Sequence, residues 1–312
     1  MPPTSMTCWR HVSNFCSGKM KKIIDKAIEK LKSMGIFSPC DEVKAEPFYA
    51  KEDGAAYNVW KMQGGGKRYV LKEGKNCEVE VYTAFLSKQL GCAPTLIACF
   101  EDDGKEYLVI EYVDGEDLCE CDRERLQAAL DVLIALQNAF WGAEEYASVG
   151  YTYEKDLASC MDRAKYLGDS QLESAYAEFL ELYKSLPRTL CHDDLLPFNV
   201  LVNGARAVII DWEYAGLLPY PLSLARLLAH AGEENCFFKM REKDKMFALE
   251  YYYENLVKAH GISKKEYEHT MQAFLFYEYT EWIMLANKYE NADKKRGEEY
   301  LQKAKSLLQD RK

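Results

Sequence analysis

Four residues in the stretch Leu190–Tyr214, which reads LCHDDLLPFNVLVNGARAVIIDWEY, have the types and spacing for phosphoryl transfer: His192, Asp194, Asn199 and Asp211. Two apolar runs, Asn199–Val202 and Ala207–Ile210, flank Asn203-Gly204, and an Asn-Gly pair between such runs predicts a β-hairpin. A hairpin there brings Asn199, just before its first strand, close to Asp211, just after its second. An amide oxygen and a carboxylate converging in this way can share a hard cation such as Mg2+, which takes oxygen ligands. Asp194 lies upstream in the loop, where it can accept a proton from a substrate hydroxyl. A His-Asp-Asp triplet alone, or an Ile-Ile-Asp at a strand end alone, is commonplace. The two joined by a hairpin of this length are specific.

The pattern His192-x-Asp194-x-x-x-x-Asn199, followed by Ile210-Asp211-Trp212-Glu213, resembles the aminoglycoside phosphotransferase and choline kinase families, relatives of the protein kinases. The resemblance implies that Asp194 is the catalytic carboxylate, that Asn199 and Asp211 hold magnesium, and that His192 braces the loop. Asp193 stands where the small-molecule kinases often have Gly. Trp212-Glu213 replaces the Phe-Gly of protein kinases, and no Ala-Pro-Glu segment follows Asp211. Both features favour the small-molecule branch.

The upstream half supplies the elements such a site needs. From Pro47 to Lys72 the pattern is strand-like, with the glycines at 64–66 reading as a hairpin tip rather than a phosphate cradle. Gly54 to Asn58 lies before a strand, where the kinase families place the loop over the nucleotide phosphates. Tyr69-Val-Leu-Lys72 resembles the kinase strand whose lysine contacts the α and β phosphates. A flexible ammonium points at phosphate only when a carboxylate holds it. The helix expected over Asn76–Leu90 offers Glu80, our choice because Asn76-x-x-x-Glu80, ahead of Gly91 and Pro94, resembles the choline kinase pattern, with Glu78 as the alternative. Pro94–Phe100 and Lys105–Tyr112 read as two more strands. The second runs into a segment resembling the kinase hinge, where backbone groups near Glu111 and Val113 would bond adenine.

Beyond Val113 the periodicity becomes helical, first over Arg123–Phe140 and then over Tyr153–Leu186. Leu136-Gln137 departs from the Leu-His usual in the family, and Ser223 stands where relatives commonly carry an Asp that braces the catalytic loop. Helices are expected over Leu222–Ala231, Phe247–Val257, Lys264–Tyr289 and Asp293–Leu308. The segment Tyr277–Trp282 mixes rings with carboxylates, which suits a cation if it faces the site. Glu213, Glu278, Glu281 and Trp282 are therefore the candidate substrate contacts.

The resemblance covers Gly54 to His230 and implies an α+β, protein-kinase-like two-lobe fold. Its N-terminal nucleotide-binding lobe would span 1–113, with 1–19 as a loose tail, and its catalytic lobe 114–312, with helical substrate-binding elements over about 232–312. The net charge of −10 over 312 residues argues against a nucleic-acid partner, because counterion release needs clustered lysine and arginine. Eleven scattered cysteines without metal spacing, and no apolar leader or span, predict free thiols in the cytoplasm and no membrane association. Cys191 reads as a space-filling thiol. The expected function is an ATP- and Mg2+-dependent transfer to a hydroxyl of a small cationic molecule, with GTP as the alternative donor. An aminoglycoside-type acceptor is the first expectation, and choline or ethanolamine the second. A nucleotide-binding pseudokinase acting as an interaction module is the reading of another class.

Overall fold

The computed structural model describes residues 17–49, 56–88, 91–232 and 238–309, and the chain divides into two compact units between Asp114 and Gly115. The first unit is built on a five-stranded antiparallel sheet. Its strands are β1 (Lys44–Tyr49), β2 (Ala56–Gly64), β3 (Lys67–Glu73), β4 (Leu96–Asp102) and β5 (Lys105–Glu111), in the order β1-β2-β3-β5-β4. Helix α1 (Ser17–Ser33) lays Ile23, Ala27 and Leu31, spaced one helical turn apart, on Met62, Leu71 and Val109 of that sheet. Its polar face is tied down as well, since Lys26 Nζ donates to Asp102 Oδ1 at 3.0 Å. The β2–β3 hairpin turns on Gly65 and Gly66, whose φ values of 54° and 74° are those a type I′ turn requires. The glycine run is thus a hairpin tip. Helix α2 (Glu78–Ala84) follows β3 and is shorter than the predicted 76–90 helix, continuing as a 3-10 turn over Leu86–Lys88.

The second unit is largely helical: α3 (Arg123–Ala139), α4 (Tyr153–Ala164), α5 (Ser170–Ser185), α6 (Leu222–Ala229), α7 (Glu242–Asn255), α8 (Lys264–Lys288) and α9 (Lys294–Gln309). Short strands thread among them. β6 (Glu116–Asp117), β8 (Val200–Asn203) and β9 (Arg206–Ile209) form one small sheet, and β7 (Arg188–His192) pairs with β10 (Ala215–Pro219). The predicted hairpin is present with its register moved by one residue. Asn203 pairs with Arg206, so the two-residue loop is Gly204-Ala205, with Gly204 at φ 59° in the first loop position as a type II′ turn requires. Among the described residues, no helix is long and apolar enough to cross a membrane.

The β7–β10 pair carries His192 at one end, and it is locked by a close approach. Tyr151 N–H donates to Ala215 O at 2.8 Å, and a Cβ on Gly216 would overlap the Tyr151 carbonyl. Gly216→Ala is therefore expected to destabilise the protein by about 1–3 kcal/mol, because backbone rather than a flexible side chain must move. Thermal unfolding checks this, and an unchanged melting temperature would show that the strand is looser than described.

Candidate active site

The loop after β7 is held from several sides. His192 N–H donates to Ser223 Oγ at 2.9 Å, so the serine on α6 still anchors the strand end with a hydroxyl in place of a carboxylate. The His192 ring is buried, which lowers its pKa and keeps it neutral, and its partner is the Ile210 carbonyl at 2.9 Å. A carbonyl can only accept, so Nε2 carries the proton. The ring therefore ties the loop to the residue immediately before Asp211, packed edge-on against Trp212 with centroids 4.9 Å apart. Gln137 on α3 supports the same pair of strands from behind, donating to Tyr220 O at 3.1 Å. Cys191 is fully buried beside it, and burial pushes its thiol up to about 12, so it fills space and is no nucleophile.

The hairpin brings Asn199 and Asp211 together as its ends: Ile210 N–H donates to Asn199 O at 2.9 Å. Asn199 Nδ2 donates to Asp194 O at 2.8 Å, which fixes which side of the amide presents nitrogen. The amide oxygen is thereby turned away from that bond. Asp211 holds φ at 67°, a left-handed conformation rare for a residue with a Cβ, in the turn between β9 and β10. An oriented amide oxygen and a carboxylate are hard donors that fit Mg2+ and would be poor ligands for a softer ion.

Asp194 is buried, and its Oδ1 accepts from Arg226 Nη2 at 2.9 Å and Nε at 3.3 Å. The other edge of the same guanidinium donates to Glu278 Oε2 at 3.0 Å and to Glu281 Oε2. These two carboxylates were expected to meet a substrate cation. They are instead turned inward, and Glu278 is only 2% exposed. The physical reason is that α8 has no single polar face: Glu278 and Glu281 lie one turn apart on a side packed against the buried helix α6, where an arginine already needs them. Burial would raise the Glu281 carboxyl, yet Arg226 first and then Arg163 hold it down to about 2. His230, Glu278 and Glu281 bring potential metal-ligating atoms within 4.8 Å of one another, but a guanidinium answers their charge. Trp282 is likewise engaged, its ring covered by the Arg296 guanidinium at 4.2 Å.

In the first unit, Lys72 on β3 forms an ion pair with Glu78, the alternative partner, Nζ to Oε1 at 2.8 Å. Glu78 and Glu80 are two residues apart on a helix, about 200° around its axis, so only one can face the sheet. Glu78 is 1% exposed and Glu80 lies on the exposed side. Glu111 closes β5 opposite Tyr69. Its N–H donates to Thr95 O at 2.8 Å and its carboxylate accepts from Thr95 Oγ1 at 3.1 Å, which fixes the backbone leading to the half-buried Val113. Asn58 is exposed on β2, and Gly54 lies outside the described residues.

Sequence reasoning missed Arg226 and a second group near the loop. Tyr151 and Tyr214, both half-buried, meet edge to face with centroids 5.9 Å apart. Burial first, then the charges of Asp156 and Asp193, push the Tyr151 hydroxyl up. The Asp193 carboxyl is itself pushed well up by burial and by Asp156 and Glu278. Glu213, beside Tyr214, is half-buried.

A model of the APH phosphotransferase enzyme family matches residues 54–236, more than half of the chain. Protein LicA of Haemophilus influenzae is 35% identical over 80 residues, a stretch amounting to 24% of this chain and 24% of that protein, so the match spans about a quarter of that relative's length. Among solved structures, a choline/ethanolamine kinase family protein from Mesorhizobium loti superposes with a TM-score of 0.57 at 17% identity, covering 92% of this chain and 95% of that one. Choline kinase from Cryptosporidium parvum gives 0.56 at 16% identity over 93% and 97%. A thermostable mutant of aminoglycoside phosphotransferase APH(4)-Ia, in a ternary complex with ADP and hygromycin B, gives 0.54 at 15% identity over 90% and 97%. At these identities the likeness is one of fold: the α+β, protein-kinase-like arrangement of a small sheet-plus-helix lobe and a larger helical lobe.

Proposed function

Because the chain belongs to the phosphotransferase enzyme family, we propose that it is a kinase that moves the γ-phosphate of ATP to a hydroxyl of a small cationic molecule with the help of Mg2+. The observation that carries this reading is the loop in which Asp194 and the Asn199 amide are joined by one hydrogen bond, while Asn199 is joined through its carbonyl to Ile210, next to Asp211. Asn199 and Asp211 would hold the metal, which when bound supplies positive charge to the phosphate oxygens. Lys72, steadied by Glu78, positions phosphates. The acceptor oxygen forms its bond to the γ-phosphorus as the bridging oxygen leaves with ADP, and the hydroxyl proton passes to Asp194. No covalent intermediate on the protein is needed, since the work is positioning and charge stabilisation.

We infer the acceptor class from the half-buried rings near the loop. Glu278 and Glu281, committed to Arg226, are not available to a polycationic amino sugar. The perpendicular Tyr151 and Tyr214 rings suit a single alkylammonium, so choline or ethanolamine leads. An aminoglycoside is the second reading, supported by the hygromycin B complex of the structural neighbour. Tyr214→Ala is expected to raise KM for choline about 5–30-fold while kcat stays within about threefold, the signature of lost binding shared by ground and transition states. Steady-state kinetics with choline and hygromycin B decide between the acceptors. Turnover of hygromycin B alone, with choline inert, would remove the alkylammonium reading.

A further inference from the structure

All eight residues of α6 are buried, and one of them is an arginine. A guanidinium in such a place must be answered by charge and hydrogen bonds on every edge. Arg226, 5% exposed, meets this condition with residues from three elements: Asp194 in the catalytic loop through Nε and Nη2, and Glu278 and Glu281 of α8 through Nη1, with His230 Nε2 at 3.2 Å. His230, which burial keeps neutral, reaches on through Nδ1 to the Tyr300 hydroxyl of α9 at 2.8 Å. Both bonds to Asp194 land on Oδ1, and among the described residues Oδ2 takes none.

We propose that Arg226 is the positioning residue of this active centre: its planar fork fixes the Asp194 carboxylate by Oδ1 and leaves Oδ2 for the acceptor hydroxyl, while Glu278 and Glu281 balance the guanidinium from the opposite edge. The inference rests on the kinase reading above, which gives Asp194 a hydroxyl to meet. Its physical basis is competition. A lone guanidinium against a buried carboxylate would form a closed ion pair, strong at low effective dielectric, and would compete with the hydroxyl for the same negative charge. Two further carboxylates share that attraction, so Asp194 is oriented without being neutralised. The acidic residues of α8 thus serve the chemistry through Arg226, one step removed from the substrate.

The test uses the full chain with Mg-ATP and two acceptors: choline, and water read as ATP hydrolysis. Arg226→Lys keeps the charge and loses the fork, whereas Arg226→Met strands three buried acids and endangers folding. Glu281→Gln keeps Arg226 and removes one balancing charge. The expected result for Arg226→Lys is a kcat lower by about 10–100-fold in both reactions, with KM for ATP and choline within about threefold. Glu281→Gln should lower kcat about 3–10-fold in the same pattern, because Arg226 then closes more tightly on Asp194. A purely structural role would lower the melting temperature and yield while leaving kcat per folded molecule unchanged, and that outcome overturns the proposal. If Arg226→Lys does not fold, Glu281→Gln decides, and a wild-type kcat in it overturns the proposal too. A wild-type protein that binds Mg-ATP but transfers phosphate to neither acceptor, nor to ethanolamine or hygromycin B, sinks the kinase reading and this role together. An active wild type with indifferent variants sinks only the role of Arg226.

Discussion

Asp194→Ala is expected to lower kcat by about 10²–10⁴-fold, the range for removing a positioned proton acceptor, with KM for ATP nearly unchanged. The loss should be catalytic and not a loss of fold. Asp194 is one of three carboxylates around Arg226, and Glu278 and Glu281 still answer the guanidinium when it is gone. The loop keeps its remaining ties: the Asn199 amide bonds the Asp194 backbone, which alanine retains, and His192 still bonds Ile210 O and Ser223. Single-turnover transfer and a melting curve on the same sample check both halves. Activity above about a tenth of wild type would mean that another group takes the proton or that none needs to.

The second large effect separates two glutamates that a sequence cannot tell apart. Glu78→Gln is expected to reduce kcat/KM for ATP by about 10–100-fold, because Lys72 loses the charge that holds its ammonium at 2.8 Å and regains side-chain freedom. Glu80→Gln should stay within about twofold, since that side chain lies on the exposed face of α2. Steady-state kinetics in ATP check the pair. A larger loss in Glu80→Gln than in Glu78→Gln would reverse the assignment and move the lysine contact to the other face of the helix.

What was legible before the structure was local. The two apolar runs around Asn203-Gly204 announced a hairpin, and a hairpin obliges its flanking residues, Asn199 and Asp211, to approach. The register slipped by one because Gly204, and not Asn203, takes the first loop position, a choice made by the backbone conformation that the turn demands. The helix carrying the lysine partner was visible, but its rotation about its own axis was not, so Glu80 was chosen where packing selects Glu78. The least legible feature was Arg226. It sits in an apolar-looking helix, 32 residues after Asp194 and 52 before Glu278, and no spacing rule links positions that meet only when α6 and α8 pack. The same limit hid the Tyr151–Tyr214 pair, which depends on the close approach of Gly216 to the Tyr151 backbone. Composition pointed to a cationic ligand through Glu278 and Glu281, and there tertiary packing overrode it by supplying an internal cation.

Transfer of phosphate to a small hydroxyl acceptor at the Asp194–Asn199–Asp211 loop is open to direct measurement. The most direct measurement incubates purified protein with Mg2+ and γ-labelled ATP in the presence of choline, ethanolamine, hygromycin B or a generic protein substrate, with the Asp194→Ala protein alongside. Label is expected on one small cationic acceptor, dependent on Mg2+ and lost with Asp194. Label on the protein substrate instead, or equal labelling by the Asp194→Ala protein, would contradict that expectation.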